Sequence, residues 1–300
     1  MRIWAGLLGV IFILAGCGGG SSSSAAAPGS PAPQDNGGGA PSSAGGSNAA
    51  TYGEPKSTQI RPGAEIVANG SSCTGNFLYS PFAGEVYIGV AAHCFSPDSN
   101  RGIDPCETSN LPIGSAVSIE NAVHSGQLVY SSWQAMQANK EIPGSAACQY
   151  NDFALVKIDS RDLANIHPAV VAIGGPKSLF TGLANVGDKV LAYGHSSLNF
   201  GSRDVEIKEG EIRAVQGGGW AYELVVDNPG VPGDSGGPVL TANGRALAVI
   251  NVITAGFGSA LVTNGVVNLD MALRYAIDGS FINRGTKILT WDDFRPAGDL

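Results

Sequence analysis

Three short segments, far apart in the chain, carry a histidine, an aspartate and a serine in settings that constrain how the chain can fold. They are Ala-Ala-His-Cys around His93, Asp-Phe-Ala-Leu starting at Asp152, and Gly-Asp-Ser-Gly-Gly-Pro around Ser235. A serine hydroxyl is a weak nucleophile near neutral pH unless a base takes its proton, and a carboxylate can orient that base. We therefore interpret the three residues as base, orienting carboxylate and nucleophile, which the fold must bring together.

The rest of the chain has the pattern of an all-β protein. Short apolar runs are separated by glycine, proline and asparagine. Residues 205–208 and 211–215 alternate apolar and polar side chains, as half-buried strands do. Asn243 and Gly244 lie between two apolar runs and predict a hairpin in which both turn residues have positive φ. One helix is predicted near the end, over 269–277.

The three segments and their order, histidine then aspartate then serine, resemble the chymotrypsin-like serine proteases, which have the trypsin fold. The resemblance implies an all-β fold of two antiparallel six-stranded β-barrels with a short C-terminal helix. It also implies an oxyanion hole formed by the backbone N–H groups of Gly233 and Ser235. A glycine-rich turn between strands is the structural alternative for the segment around Ser235, and the other two segments argue against it.

The resemblance also divides the globular part of the chain. An N-terminal β-barrel over 59–168 is expected to carry the histidine and the aspartate, and a C-terminal β-barrel over 169–280 the serine. The active site is then expected in the cleft between the barrels. Residues 281–300 form a C-terminal extension beyond the terminal helix that is usual in the family.

The N-terminus indicates export. An arginine at position 2 precedes an apolar run that is shorter than a transmembrane helix, which takes about 20 residues. The run ends in Leu-Ala-Gly-Cys, which resembles a bacterial lipobox. Residues 1–17 are then a lipoprotein signal peptide with lipid attached at Cys17, while an ordinary signal peptide stays open. Residues 18–58, rich in Gly, Ser, Ala and Pro, predict a flexible linker. We expect an exported protein, lipid-anchored at the bacterial outer membrane or cell surface.

Besides Cys17 the chain has four cysteines, and an even number in an exported chain predicts two disulfides. The residues alone leave all three pairings open. The resemblance implies Cys73–Cys94, because these proteases bridge the cysteine after the catalytic histidine to the preceding strand, and this leaves Cys106–Cys148. No Cys-x-x-Cys pair is present, which argues against zinc. We expect neither a metal nor a cofactor.

The charge of the chain restricts its partners. The formal net charge is −8 and no basic stripe is present, which argues against nucleic-acid binding. We expect a monomer whose partners are a protein or peptide substrate and a membrane reached through the lipid anchor. The other histidines, His124, His167 and His195, are interpreted as surface residues.

Asp234 precedes the nucleophile and raises the question of activation. In the family this buried carboxylate usually pairs with a new N-terminal amine created by zymogen cleavage. The Ile-Val-Gly-Gly start is absent, and the nearest stretch is Ile-Arg-Pro-Gly at 60–63. An unpaired buried charge is strongly destabilising. We therefore expect Asp234 to pair with an internal group, without such cleavage.

The substrate pocket is interpreted from the resemblance. The position six residues before the nucleophile, at the pocket floor, is Pro229 rather than an acid, although an insertion could bring Asp227 there. Val231 stands where the family has a cysteine. Asn251 and Ile253 align with the strand that binds the substrate backbone, and Ile253 in place of glycine is expected to narrow the pocket mouth. We therefore predict cleavage after a small or medium uncharged residue.

The resulting hypothesis is a serine endopeptidase that hydrolyses extracytoplasmic proteins through an acyl-enzyme. Two alternatives stay open: a catalytically silent trypsin-fold lipoprotein that acts as a binding module, and an esterase on the same fold. Retention of all three catalytic residue types and of Gly233 favours the active enzyme.

Overall fold

A computed structural model describes residues 52–97, 104–199, 206–255 and 262–295. All of them belong to one compact unit that spans 46–300. The expected signal peptide, 1–17 with Cys17, and most of the expected linker, 18–58, lie outside the described residues. Among the described residues, no helix is long and apolar enough to cross a membrane.

The first sheet contains eight antiparallel strands. They are β1 (Glu65–Ala68), β2 (Ser71–Thr74), β3 (Leu78–Phe82), β4 (Glu85–Val90), β5 (Ala116–Ile119), β6 (Gly126–Ser131), β7 (Ala154–Lys157) and β15 (Lys287–Ile288), in the order β15-β3-β4-β7-β6-β5-β1-β2. Between β2 and β3, Gly75 donates a backbone hydrogen bond to Ala64 and Asn76 donates one to Gly89. This run therefore links the segment before β1 to β4 across the sheet, which curls into a barrel-like layer.

The second sheet contains seven strands. They are β8 (Ser178–Leu179), β9 (Lys189–Tyr193), β10 (Ile207–Gln216), β11 (Ala221–Val226), β12 (Pro238–Thr241), β13 (Arg245–Ala255) and β14 (Val262–Asn268), in the order β12-β9-β10-β11-β14-β13-β8. β12 also pairs with β13, which closes six antiparallel strands into a barrel, and the short β8 joins β13 in parallel. The expected all-β architecture of two barrel-like sheets is confirmed, with one difference. Among the described residues the first sheet has eight strands and no pairing that closes it, where a closed six-stranded barrel was expected.

In the part of the chain that the structure describes, the sheets are accompanied by the α-helices α1 (Ser132–Ala138), α2 (Ala146–Tyr150) and α3 (Leu269–Asp278). The terminal helix α3 agrees with the prediction over 269–277. It begins at Asn268, whose side chain accepts hydrogen bonds from the N–H groups of Asp270 and Met271, as an N-cap residue does. The sequence analysis did not predict α1 or α2.

The hairpin between β12 and β13 forms, but its turn differs from the prediction. Gly244 alone of the two turn residues has positive φ, at +81°. Its N–H donates to Thr241 O at 2.9 Å, and the Thr241 hydroxyl accepts from Arg245 N at 3.0 Å. The strand register shifts next to the turn, between Val239 and Leu240. The shift gives β13 one extra residue beside the turn, and the chain reverses direction with positive φ at Gly244 alone. The prediction of positive φ at Asn243 was therefore wrong.

The C-terminal extension packs against both barrels. Its strand β15 pairs with β3, and Trp291 N donates to Pro176 O at 2.9 Å. The Trp291 ring lies edge-on to His167, with 4.6 Å between the ring centroids. His167 is fully buried, so its interpretation as a surface residue was wrong. The side chain is covered by the extension, and its Nε2 lies 3.1 Å from Gly53 O.

Candidate active site

The first barrel positions the histidine and the aspartate at the ends of two neighbouring strands. His93 lies in a short 3-10 helix that follows β4, and Asp152 lies just before β7, which pairs with β4. The Nδ1 atom of His93 lies 2.6 Å from Asp152 Oδ2, and the backbone N–H of His93 donates to Asp152 Oδ1 at 2.8 Å. This two-point contact orients the imidazole. It holds the tautomer with the proton on Nδ1 and leaves Nε2 as the basic nitrogen.

Ser235 lies in the loop before β12 of the second barrel, and this loop is bound to the first barrel. Thr74 N donates to Ser235 O at 2.8 Å, and the Thr74 hydroxyl donates to Gly233 O at 2.8 Å. The preceding residue, Cys73, forms a disulfide with Cys94, next to His93. One short segment of β2 therefore holds both the nucleophile loop and the helix that carries the histidine.

Gly236 permits the close approach of the two barrels at this point. A Cβ atom at this position would overlap Thr74 O and lie 2.9 Å from Ala91 N. Its φ is +91°, in the region that favours glycine. Ala91 is two residues before His93. A side chain at 236 would push the serine loop away from the histidine segment.

The Ser235 side chain is half-buried, and its Oγ donates to the backbone carbonyl of Asn251 at 3.3 Å. Asn251 lies on β13, so this bond joins the nucleophile to the strand expected to bind the substrate backbone. In unliganded enzymes the hydrogen bonds of catalytic groups are often long and tighten only when substrate binds.

The loop also presents two backbone donors. Gly233 has φ +106°, and a Cβ there would lie 2.9 Å from Ser196 Oγ. Ser196 Oγ in turn donates to Pro232 O at 2.5 Å. Within the described part of the chain, the N–H groups of Gly233 and Ser235 have no protein acceptor. Two free N–H groups beside a nucleophile are the arrangement that stabilises an oxyanion.

Asp234 pairs with an internal group. Its Oδ2 lies 3.0 Å from Lys208 Nζ and accepts from Val231 N at 2.9 Å. Both charged side chains are 1% exposed. Gly194 leaves room for the pair, because a Cβ there would overlap the carboxylate. The sequence analysis expected an internal partner without identifying Lys208.

The proposed pocket residues lie on two segments. Pro229 and Val231 are partly exposed and flank the buried Gly230, while β13 carries Asn251 and Ile253. Ile253 pairs with Asn264 of β14, and its side chain lies outside the described residues. The sequence analysis missed Asn264, although an asparagine inside an apolar strand is an unusual feature that could have been noticed.

Asp227 is engaged away from the pocket floor. It is exposed, and its Oδ1 accepts from the N–H groups of Glu209 at 2.8 Å and Asn228 at 2.7 Å. These bonds place its carboxylate in the turn after β11. The alternative in which Asp227 gives the pocket an acidic floor is therefore not supported.

A second histidine lies beside the nucleophile loop. His195 N donates to the Thr74 hydroxyl at 2.8 Å, and its Nδ1 lies 3.4 Å from Glu120 Oε2 and 3.0 Å from Gly63 O. Glu120 belongs to the first barrel and His195 to the second. The carboxylate raises the pKa of His195 to about 9, and the pKa of Glu120 is lowered in return. This half-buried pair was also missed.

Both disulfides expected from the resemblance are present, Cys73–Cys94 and Cys106–Cys148. Among the described residues, the two groups of side chains close enough to share a metal ion each contain one of these cystines. Sulfur atoms in a disulfide are not thiolates, the form in which cysteine binds metal. These groups therefore offer no cysteine thiolate for zinc.

The chain is similar to several proteins of known structure. Among solved structures, Thermobifida fusca protease A is similar at 19% identity and a TM-score of 0.49, over 77% of this chain and 98% of that one. The chymotrypsin of Cellulomonas bogoriensis is similar at 17% identity and a TM-score of 0.47, over 77% and 98%. A glutamic acid-specific serine protease is similar at 17% identity and a TM-score of 0.48, over 77% and 100%. The curated proteins contain no match.

The family model described as a trypsin-like peptidase domain matches residues 73–249, which is more than half of the chain. The matched range begins at the first cystine residue and contains His93, Asp152 and Ser235. The chain therefore belongs to the trypsin-like peptidase family.

Proposed function

We propose that this trypsin-like peptidase is a serine endopeptidase that hydrolyses extracytoplasmic proteins through an acyl-enzyme, after a small or medium uncharged residue. The observation that carries the proposal is the two-point contact of Asp152 with His93, at 2.6 and 2.8 Å. Asp152 is 4% exposed, and both of its carboxylate oxygens contact His93. An orienting carboxylate in a catalytic triad has this arrangement.

The proposed reaction begins when the Ser235 hydroxyl leaves the Asn251 carbonyl and donates to Nε2 of His93. His93 takes the proton as Oγ attacks the scissile carbonyl, and Asp152 stabilises the imidazolium that forms. The Gly233 and Ser235 N–H groups bind the oxyanion of the tetrahedral intermediate. His93 then protonates the leaving amine. A water molecule, deprotonated by His93, hydrolyses the acyl-enzyme.

Export and lipid anchoring at Cys17 are part of the proposal and are supported by the lipobox-like segment. Acyl chains contribute about 0.8 kcal/mol for each buried CH₂, so a chain carrying two or more binds a membrane stably. If the anchor exists, the Cys17→Ser variant leaves the membrane fraction and no longer incorporates radiolabelled palmitate. An unchanged distribution and no palmitate in the parent protein would contradict this part.

Hydrolysis of a denatured protein by the full-length chain in detergent tests the enzyme assignment. We expect peptide products whose formation stops in Ser235→Ala and falls by about 10³-fold or more in His93→Ala, because removing either member of a triad disables the unit. Ser125→Ala is the control serine variant, because Ser125 is exposed between β5 and β6 and lies on a different loop from the proposed triad. Cleavage of ester substrates alone would favour the esterase. A folded chain that cleaves neither substrate would favour the binding module.

A further inference from the structure

One buried amide beside the nucleophile loop has an unused donor. Asn264 on β14 is 2% exposed, and its Oδ1 accepts a hydrogen bond from Gly230 N at 3.1 Å. That bond identifies the amide oxygen, because in the flipped orientation the amide NH₂ would face the N–H of Gly230 and two donors would meet. The Nδ2 atom is buried, and within the described part of the chain it has no acceptor.

Asn264 lies between the loop that contains Ser235 and the strand β13. Gly230 is five residues before Ser235 in the same loop. On the other side, Asn264 pairs with Ile253 of β13, two residues after Asn251, whose carbonyl accepts the Ser235 hydroxyl. The segments that contain all four proposed pocket residues therefore flank this one residue.

Gly230 is required for the amide to occupy this position. A Cβ at Gly230 would overlap Asn264 Nδ2, so a side chain at residue 230 would displace the donor. The same Cβ position lies 3.7 Å from Asp234 Oδ2. The Asp234 carboxylate, which pairs with Lys208, therefore lies on the same side of Gly230 as the donor. This arrangement disfavours a second carboxylate and is compatible with a neutral acceptor.

A buried donor without an acceptor loses its hydration and gains nothing in return. A substrate group that supplies the acceptor is favoured over an isosteric group that lacks one, since the apolar group leaves the donor unpaired. We propose that Asn264 Nδ2 determines substrate specificity by donating to the carboxamide oxygen of an Asn or Gln residue at the cleavage site. This proposal rests on the proposed endopeptidase activity and names its substrate class.

The test compares peptide p-nitroanilides that differ only in the residue before the scissile bond. Asn and Gln are paired with Leu and Met, which have similar shapes but no acceptor, and Glu and Arg complete the set. We expect kcat/KM for Asn or Gln to exceed that of its apolar counterpart by roughly 10- to 100-fold, and to exceed that for Glu. Asn264→Asp keeps an oxygen for Gly230 N and replaces the donor, so it should abolish this preference. Asn243→Asp, in the β12–β13 hairpin, is the matched control and should retain it.

Fluorophosphonate labelling of each variant shows whether its site is assembled, which separates misfolding from a loss of specificity. If Asn264→Asp does not label, Asn264→Ser replaces it, because a smaller polar side chain is expected to fit the site. Hydrolysis in which Leu and Met equal or exceed Asn and Gln would overturn the assignment of Asn264 and leave the endopeptidase intact. A preference for Glu would overturn the choice of a neutral acceptor. No hydrolysis of any substrate by the parent chain would overturn both proposals.

Discussion

Lys208 Nζ lies 3.0 Å from Asp234 Oδ2, and the two side chains form a buried ion pair beneath the nucleophile loop. The lysine is the second residue of β10 and not a chain end. The segment around Ile60 is held elsewhere: Ile60 is fully buried, and its N–H donates to Asn165 O at 2.9 Å. An N-terminal amine created at Ile60 would have to leave this position to approach Asp234.

We predict that Lys208→Met lowers the free energy of unfolding by about 3–5 kcal/mol, because it leaves the Asp234 carboxylate buried without its cation. It should also reduce fluorophosphonate labelling, since Asp234 lies between the two oxyanion donors in sequence. Urea unfolding measures the first effect. The double variant Lys208→Met with Asp234→Asn removes both charges and should recover most of the stability. If the double variant is as unstable as the single one, the ion pair is not the cause.

We also predict that the chain is active without cleavage near residues 60–66, because Lys208 already supplies the cation. N-terminal sequencing of fluorophosphonate-labelled protein tests this directly. The labelled chains should still contain residues 52–66. An active form that begins at one of residues 60–66 would show that a new N-terminal amine is required.

A third prediction concerns the oxyanion hole. Gly233→Ala should lower kcat/KM by about 10²-fold or more, the usual cost of losing one oxyanion donor. The alanine Cβ would lie 2.9 Å from Ser196 Oγ, and φ +106° is unfavourable for alanine, so the loop must move. Gly84→Ala is the matched control: its φ is +86°, but a Cβ there meets nothing within 4 Å. It should cost about 1–2 kcal/mol of stability from backbone strain and leave kcat/KM unchanged.

The His195–Glu120 pair predicts a pH dependence of stability. The pKa of His195 is raised to about 9 from its ordinary value of 6.5, so the pair stabilises the fold fully below pH 6.5. That contribution is lost as pH rises through 9. Its size should be about 1 kcal/mol or less, because the two side chains are 32% and 40% exposed.

Urea unfolding of the parent and of Glu120→Gln at pH 6 and pH 9.5 isolates this contribution. The difference between the two proteins should shrink at the higher pH. A difference that is constant or grows with pH would show that the protonated histidine does not stabilise the fold through Glu120.

The extension after α3 should contribute to stability and not to chemistry. Trp291 is 6% exposed and contacts the buried His167 ring, so Trp291→Ala should cost about 3–5 kcal/mol. Leu198→Ala, at a side chain that is 54% exposed, should change stability by less than about 0.5 kcal/mol. Labelling of Ser235 below the unfolding transition should be the same in both. A loss of labelling in folded Trp291→Ala would show that the extension shapes the site.

The features predicted from the sequence are those encoded locally. The strands β4, β7 and β9 are short continuous apolar runs, and α3 has the apolar period of a helix beside the capping residue Asn268. Gly233 and Gly236, beside Ser235, could be identified in the sequence because both have positive φ, which few other residues adopt. In contrast, α1 is one of two short helices that were missed, and its N-cap residue Ser131 makes no side-chain capping bond.

The residues missed at the site depend on distant partners. The alternation over 205–208 predicts that Ile207 faces the core and Lys208 faces solvent. In the structure β10 continues through Gln216, and Lys208 lies on the same face as the fully buried Ile212. A strand reverses all its faces when its register moves by one residue, and here Asp234 supplies the charge that the buried lysine needs. No local pattern contains that information.

Covalent labelling of Ser235 tests the central claim most directly. The full-length chain is treated with a fluorophosphonate, and the modified peptide is identified by mass spectrometry in the parent, His93→Ala and Asp152→Asn. The account predicts one modified residue, Ser235, with a labelling rate that falls by about 10³-fold or more when His93 or Asp152 is replaced. Unmodified Ser235 in a folded parent chain, or equal labelling rates in all three proteins, would contradict it.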